Sequence, residues 1–219
     1  MRHADDAFQL SLGDGMEVTG QRLLVATGRR PRPDGLGLEN VGLAPAARAL
    51  AVDGQMRAAP GVWGVGDVTG RGLFTHVAMY QAEIAVRDIL GRPGPDADYR
   101  ALPRVTFTDP EVGSVGLSEH TAREQGLRVR TGIARVPSSP RGWIHQARQP
   151  GPGQTRRGHR PGVLAGATSV GPGGGEILYG LAIAVHHEIP VDRLRHMMFA
   201  YPTFHRAVED ALADLGAGN

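Results

Sequence analysis

Gly61-Val-Trp-Gly-Val-Gly-Asp-Val-Thr-Gly70 joins a short apolar run to an acidic residue flanked by glycines. The run from Val62 to Val65 predicts a buried strand, and the residues from Thr75 to Leu90 predict an amphipathic helix. Glycine lets the backbone approach a ligand closely, and open α/β sheets bind ligands beyond the carboxyl ends of their strands. The segment therefore predicts a ligand site at Gly66 and Asp67, where the carboxylate meets a sugar-like hydroxyl.

Further strand signals lie upstream of this segment. Phe8–Leu12 and Met16–Val18 predict two strands joined by a glycine turn. Arg22–Ala26 predicts a buried strand that ends in the turn beginning at Gly28. Residues 31–60 are rich in Pro, Gly and Ala, which predicts mostly loop.

The residues downstream predict a second domain. Gly91–Asp98 is rich in Gly and Pro and predicts a linker. After it, two short strands flank Asp109-Pro-Glu111, and further strand signals precede three helix signals. Strands followed by helices indicate an α+β domain. We therefore expect two domains, at residues 1–95 and 101–219.

Residues 146–162 depart from this pattern, because they contain Arg, Gly, Pro and Gln but no branched or aromatic apolar residue. Three prolines, Pro150, Pro152 and Pro161, cannot donate to a sheet ladder, so the stretch is not expected to pair as a central strand. Two interpretations remain: a surface loop, or the product of a shifted reading frame in GC-rich DNA.

Composition narrows the function classes. The 219 residues carry a net charge of only +2, which gives no argument for binding nucleic acid or a membrane surface. No cysteine is present, so this chain cannot build a disulfide framework, a thiolate metal site or a redox dithiol. The nine histidines are too scattered for a ligand set, so no metal site is expected. No apolar run is long enough for a membrane helix and no signal peptide is evident, so a cytoplasmic protein is expected.

Four motifs occur in an order typical of one family. They are Leu23-Leu-Val-Ala-Thr-Gly-Arg-Arg-Pro31, Gly61–Gly70, Phe107-Thr-Asp-Pro-Glu-Val-Gly-Ser-Val-Gly-Leu-Ser-Glu119 and Gly166-Ala-Thr-Ser-Val-Gly-Pro172. Together they resemble the FAD-dependent pyridine nucleotide–disulfide oxidoreductases, which include dihydrolipoamide dehydrogenase and mercuric reductase. The resemblance implies an α/β partial FAD/NAD(P)-binding segment followed by an α+β dimerisation domain with an antiparallel sheet, and it covers only the C-terminal half of a complete member.

The resemblance also assigns cofactor contacts. It implies that Asp67, following Gly66, hydrogen-bonds the ribitol of FAD, although a turn or helix cap is the alternative for this carboxylate. It places four residues along the flavin: Leu73, Phe74, Thr75 and His76. His76 has two equally weighted interpretations: a flavin contact, or a residue at the start of the helix that faces the sheet. The glycine matching Gly28 approaches NAD(P)H in relatives, while the arginines after it are either cofactor contacts or surface residues.

The closing motif departs from the family. Relatives carry His-Pro-Thr with a glutamate three residues later, and this pair exchanges protons at the partner subunit's flavin. Here Tyr201 replaces the histidine and Arg206 replaces the glutamate. Tyr201 either donates a hydrogen bond near the flavin or simply packs. The family's GxGxxG turn and cysteine pair are also missing from the 219 residues.

Two function classes follow. In the first, the chain is part of a homodimeric flavin-dependent NAD(P)H oxidoreductase that passes electrons through FAD to a small-molecule acceptor, which the missing His–Glu pair predicts is neither lipoamide nor glutathione. In the second, the chain is a non-catalytic dimerisation module or an inactive gene fragment.

Overall fold

The computed structural model divides the chain into two compact units, Met1–Ala97 and Asp98–Asn219. The residues that the structure describes are 1–4, 6–44, 48–144, 152–157 and 162–216.

The first unit contains a three-stranded sheet, a two-stranded sheet and one long helix. Its elements are β1 (Arg2–Ala4), β2 (Ala7–Ser11), β3 (Glu17–Gly20), β4 (Arg57–Ala59), β5 (Val62–Trp63) and α1 (Thr75–Ile89). The strands pair antiparallel in the orders β1-β2-β3 and β4-β5. The predicted hairpin and the predicted helix are thus confirmed, and the predicted strand at Val62–Val65 is shorter than expected.

The strand predicted over Arg22–Ala26 is wrong. This segment has no regular secondary structure, and Leu24 and Val25 are 88% and 67% exposed. A buried strand needs neighbouring strands to bond its backbone and a sheet face to cover its side chains. Among the described residues no strand pairs with this segment, so its apolar side chains stay in solvent.

Helix α1 packs one face against the β4-β5 hairpin. Ile84 and Ala85 are buried with Met56, and Trp63 packs against this cluster. At the last turn of α1, the Asp88 carboxylate accepts hydrogen bonds from the Trp63 indole at 2.8 Å and from the Arg57 guanidinium. The hairpin that precedes the site is therefore fixed to the helix that follows it.

The second unit is an antiparallel sheet with helices. Its strands are β6 (Pro103–Thr106), β7 (Glu111–Gly116), β8 (Arg130–Arg135), β9 (Pro152–Arg157) and β10 (Leu164–Gly171). Its helices are α2 (Glu119–Glu124), α3 (Pro140–Ile144), α4 (Gly174–His186), α5 (Val191–Arg195) and α6 (His205–Gly216). The strand order is β6-β7-β10-β9-β8, with every neighbouring pair antiparallel.

The core of this unit lies between the sheet and the helices. Leu178 of α4 and Leu212 of α6 are almost fully buried together with Val115 of β7. Helix α6 lies so close to β8 that a methyl carbon added at Gly132 would be 2.1 Å from the carbonyl oxygen of Ala211. The helices therefore cover one sheet face at distances that require small residues on the strands.

The expectation that residues 146–162 cannot pair centrally is wrong for residues 152–157. These residues form β9, which lies between β10 and β8. Pro152 is the first residue of the strand, a position where the missing N–H is tolerated. Pro150 and Pro161 lie outside the described residues, so they do not interrupt the described ladder.

Candidate functional site

The acidic segment forms a short turn between β5 and α1. Gly66–Thr69 is a single 3-10 turn, entered from extended Val65. Gly66 and Gly70, at its two ends, have φ angles of +79° and +66°, a left-handed region that favours glycine. The turn buries Gly66 and Thr69 and leaves Asp67 exposed. The local backbone thus presents one carboxylate to solvent from a buried base.

A buried glutamine of α1 holds this turn in place. Gln81 is 0% exposed, and its Oε1 accepts the backbone N–H of Gly66 with an N···O distance of 2.6 Å. Its Nε2 donates to Thr69 Oγ1 at 3.1 Å. Thr69 Oγ1 in turn donates to the carbonyl oxygen of Gly66 at 2.8 Å. The turn around Asp67 is therefore held at both ends: Gln81 bonds Gly66 at its start and Thr69 at its end.

The carboxylate of Asp67 is not held by bonds of this kind. It makes no hydrogen bond or ion pair with another described residue, and the turn has no side-chain cap. An ionised carboxylate offers acceptor sites only. Asp67 is thus a fixed, exposed acceptor that suits a hydroxyl donor.

The four residues predicted along the flavin lie just before and at the start of α1. Leu73 and Phe74 are half-buried, whereas Thr75 and His76 are exposed. The Phe74 and His76 rings stack, with centroids 5.1 Å apart and planes 18° apart. The backbone oxygen of Phe74 accepts the N–H of Val77 at 3.1 Å, which begins the helix. Residues Leu73–His76 thus form a partly apolar surface a few residues after Asp67, which is called the platform below.

The Gly28 turn is tied to this platform by its neighbour. The guanidinium of Arg29 donates a hydrogen bond to the backbone oxygen of Leu73. Gly28 is exposed with a φ of +149°, and a methyl carbon added there would have no atom within 4 Å. Through its neighbour Arg29, Gly28 is therefore connected to the Leu73–His76 platform, so these predicted site residues of the first unit lie near one another.

Tyr201 belongs to the second unit and is 73% exposed. No described carboxylate bonds its hydroxyl, and Glu209 instead pairs with Arg206. Thr203 Oγ1 donates to the backbone oxygen of Ala200 at 2.7 Å, which fixes the turn around Tyr201. The phenol is therefore presented without the acidic partner that the family's histidine has.

The sequence patterns did not predict that Gln81 and Thr69 hold the turn. A signal was available for Gln81, because it lies on the same helical stripe as Val77, Ile84 and Ala85. A polar residue on a buried stripe requires a buried partner. Thr69 gave no comparable signal, since a hydroxyl after a turn is common.

Within the part of the chain that the structure describes, no group of three or more His, Cys, Asp or Glu side chains is placed to hold a metal ion. No helix in the same ranges combines the length and the hydropathy needed to cross a bilayer.

Two family models match the chain. The model described as "Pyridine nucleotide-disulphide oxidoreductase, dimerisation domain" matches residues 102–212. The model described as "Pyridine nucleotide-disulphide oxidoreductase" matches residues 1–82. One family therefore accounts for both units.

Curated relatives of this chain include a dihydrolipoyl dehydrogenase and a mercuric reductase. Dihydrolipoyl dehydrogenase from Corynebacterium glutamicum is 32% identical over 198 residues, which cover 89% of this chain and 42% of the relative. Mercuric reductase from Streptomyces lividans is 32% identical over 195 residues, which cover 88% of this chain and 41% of the relative. The chain thus spans less than half of the length of these relatives.

Solved structures of similar proteins lead to the same family. LpdA from Mycobacterium tuberculosis matches with a TM-score of 0.80 and 27% identity, covering 97% of this chain and 47% of LpdA. A Cu(II) complex of RclA from Escherichia coli, an HOCl-induced flavoprotein disulfide reductase, matches with a TM-score of 0.78 and 25% identity, covering 97% of this chain and 48% of RclA. The predicted fold class, a partial FAD/NAD(P)-binding segment followed by an antiparallel dimerisation domain, is confirmed by these matches. The chain belongs to the pyridine nucleotide-disulphide oxidoreductase family.

Proposed function

We propose that this chain supplies the FAD-facing turn and the dimerisation domain of a flavin-dependent NAD(P)H oxidoreductase. The observation that carries the proposal is the Asp67 carboxylate, which is exposed and without a described partner while Gln81 holds its turn. A free acceptor on a rigid base is what recognition of a polyhydroxylated chain requires.

The residues present fit FAD at this turn. Asp67 would accept a hydrogen bond from a ribitol hydroxyl, and Gly66, lacking a side chain, leaves the approach open. The half-buried Leu73 and Phe74 would shield one side of the flavin from water. When bound, FAD supplies the hydride acceptor for NAD(P)H and the electron donor for the final substrate.

The residues of this chain would contribute by orienting the cofactor. The bond from Arg29 to the Leu73 carbonyl fixes the platform relative to the Gly28 turn, which the family resemblance assigns to the nicotinamide side. The buried bonds of Gln81 keep Asp67 at a constant position. Such preorganisation lowers the ordering cost of binding.

For the acceptor, we propose a small molecule other than lipoamide or glutathione, such as a quinone, a dye, oxygen or a metal ion. The support is Tyr201, because an imidazole exchanges protons near neutral pH and a phenol does not. Arg206 strengthens it, since Glu209 pairs with Arg206 and no described carboxylate bonds the Tyr201 hydroxyl. The names of the relatives do not support this part, because dihydrolipoyl dehydrogenases are among them.

A cofactor titration tests the role of Asp67. We expect the purified chain to quench FAD fluorescence saturably and Asp67→Asn to weaken binding about tenfold, as for a lost charge-assisted hydrogen bond. Asp34→Asn changes another exposed aspartate of the same unit and should bind as the unchanged chain does. Equal affinity of the two variants would remove Asp67 from the site.

Turnover tests the acceptor. NAD(P)H oxidation by FAD-loaded protein should proceed with a quinone and be at least about tenfold slower with lipoamide, and Tyr201→His should narrow that difference. Faster turnover with lipoamide than with the quinone would contradict the proposed acceptor while leaving the flavin site in place.

A second candidate function is that of a non-catalytic dimerisation module. It is favoured by the second unit, whose five-stranded sheet and helices form a core of their own. In this case the chain would form a homodimer that retains no flavin. Light scattering together with the absorbance spectrum separates the candidates: a colourless, stable dimer supports the module, and a yellow dimer supports the oxidoreductase.

A further inference from the structure

A row of polar side chains crosses three strands of the second unit. In the sheet register Arg104 of β6 is opposite Ser114 of β7, and Ser114 is opposite Thr168 of β10. Directly opposed residues of antiparallel strands place their side chains on the same face, with Cβ atoms about 5 Å apart. One guanidinium and two hydroxyls are therefore side by side on the sheet.

This row lies on the face opposite α4. Val115 is buried in the core with Leu178 of α4, and a methyl carbon added at Gly113 would be 3.3 Å from Leu178 Cβ. Successive side chains of a strand point to opposite faces. Ser114, between these two residues, therefore points away from α4, together with its register partners Arg104 and Thr168.

The connection from β7 to α2 closes the row into a cleft. The chain turns at Gly116, whose φ is +69°, and passes so near β10 that a methyl carbon added at Gly166 would be 2.2 Å from the Leu117 oxygen. Ser118 and Thr121 follow and form the wall. The cleft, which is partly open to solvent, has a volume of about 280 Å³, with the polar row as its floor.

The cleft is rich in donors, and none of the described residues that line it is acidic. The Arg104 guanidinium makes no hydrogen bond or ion pair with another described residue, and neither do the hydroxyls of Ser114 and Thr168. On the wall, Ser118 Oγ and Thr121 Oγ1 are 2.9 Å apart and bonded to each other. An uncompensated cation beside free hydroxyls attracts an anion that can accept several hydrogen bonds.

We propose that this cleft binds a phosphate group, either free phosphate or the phosphoryl group of a small molecule. A tetrahedral oxyanion accepts from donors in different directions, as a guanidinium and two separate hydroxyls require. The cleft is larger than the ion itself, which leaves room for a small carbon skeleton. The site lies wholly in the second unit and is independent of Asp67 and its proposed ligand.

Amide chemical shifts of the full 219-residue chain test the proposal. Inorganic phosphate and glycerol 3-phosphate are titrated separately at constant ionic strength. We expect saturable shifts at Ser114 and Thr168 and at least about tenfold weaker binding in Arg104→Gln. Arg128→Gln removes another exposed arginine of the same unit and should bind as the unchanged chain does. Ser114→Ala, a small change on the same row, should weaken binding about threefold or more.

The two ligands identify the source of the phosphate group. Tighter binding of glycerol 3-phosphate supports a phosphorylated small molecule, and equal binding supports the free ion. Shifts that do not saturate, or equal affinities in Arg104→Gln and Arg128→Gln, would overturn the proposal.

Discussion

The Oε1 atom of Gln81 accepts the backbone N–H of Gly66, with the oxygen and nitrogen 2.6 Å apart although the two residues are 15 positions apart in sequence. This bond joins the interior of α1 to the turn that presents Asp67. The position of the exposed carboxylate thus depends on a side chain that never reaches the surface.

Replacing Gln81 by methionine should destabilise the first unit by about 1–3 kcal/mol, because the buried N–H of Gly66 and the hydroxyl of Thr69 lose a partner. Gln21→Met, at an exposed position of the same unit, should change stability little. Denaturant unfolding followed by Trp63 fluorescence, with Trp143 replaced by Phe in every sample, measures the difference. A Gln81→Met variant as stable as its Gln21→Met control would show that the clamp contributes no stability.

Gly70→Ala should destabilise the first unit by about 2 kcal/mol or more, because it adds a steric clash to left-handed strain. The added carbon would be 2.9 Å from Ala49 Cβ. Gly61 also has a positive φ, +73°, but no atom within 4 Å of an added carbon. Gly61→Ala should therefore cost only the backbone strain, about 1–2 kcal/mol. The same unfolding measurement compares them, and equal losses would exclude the contact with Ala49.

Stability of the first unit should fall in acid through Asp88. Hydrogen bonds from Arg57 and then from Trp63 hold the pKa of the Asp88 carboxyl below its ordinary value. Because the folded pKa is the lower one, this stabilisation is present above the unfolded pKa of about 4 and is lost as the pH falls through the folded value.

Unfolding measured between about pH 2 and pH 6 checks this effect. Asp88→Asn should be less stable than the unchanged chain near neutral pH, and the difference should shrink in acid. A stability difference that is independent of pH would contradict the role given to the ionised carboxylate.

Two glycines of the second unit should respond to alanine with opposite signs. Gly132→Ala should cost about 1–3 kcal/mol or more, because the added carbon would be 2.1 Å from the Ala211 oxygen of α6. Gly180 lies in α4 with no atom within 4 Å of an added carbon. Gly180→Ala should therefore stabilise by about 0.5–1 kcal/mol through helix propensity. Thermal unfolding distinguishes them, and stabilisation by both would exclude the close β8–α6 packing.

Local patterns predicted the elements whose causes are local. The apolar spacing from Thr75 onward predicted α1. A local cause also begins α2, where the Ser118 side chain accepts the N–H of Thr121 at 3.0 Å. The predictions for Arg22–Ala26 and for β9 were wrong, because pairing depends on which strands lie alongside. An apolar run without a neighbour stays irregular, and a polar run between two strands becomes part of the ladder.

For the candidate site, the sequence alone determined the exposed acid between glycines, the start of the helix after it, and the replacement of the family's histidine by Tyr201. Only the tertiary structure decided that Gln81 anchors the turn, that Arg29 bonds the Leu73 carbonyl, and that Arg104 lies in a row with Ser114 and Thr168. The physical reason is that turns and helix starts follow from neighbouring residues, whereas buried hydrogen bonds and sheet register join residues that only the folded chain brings together.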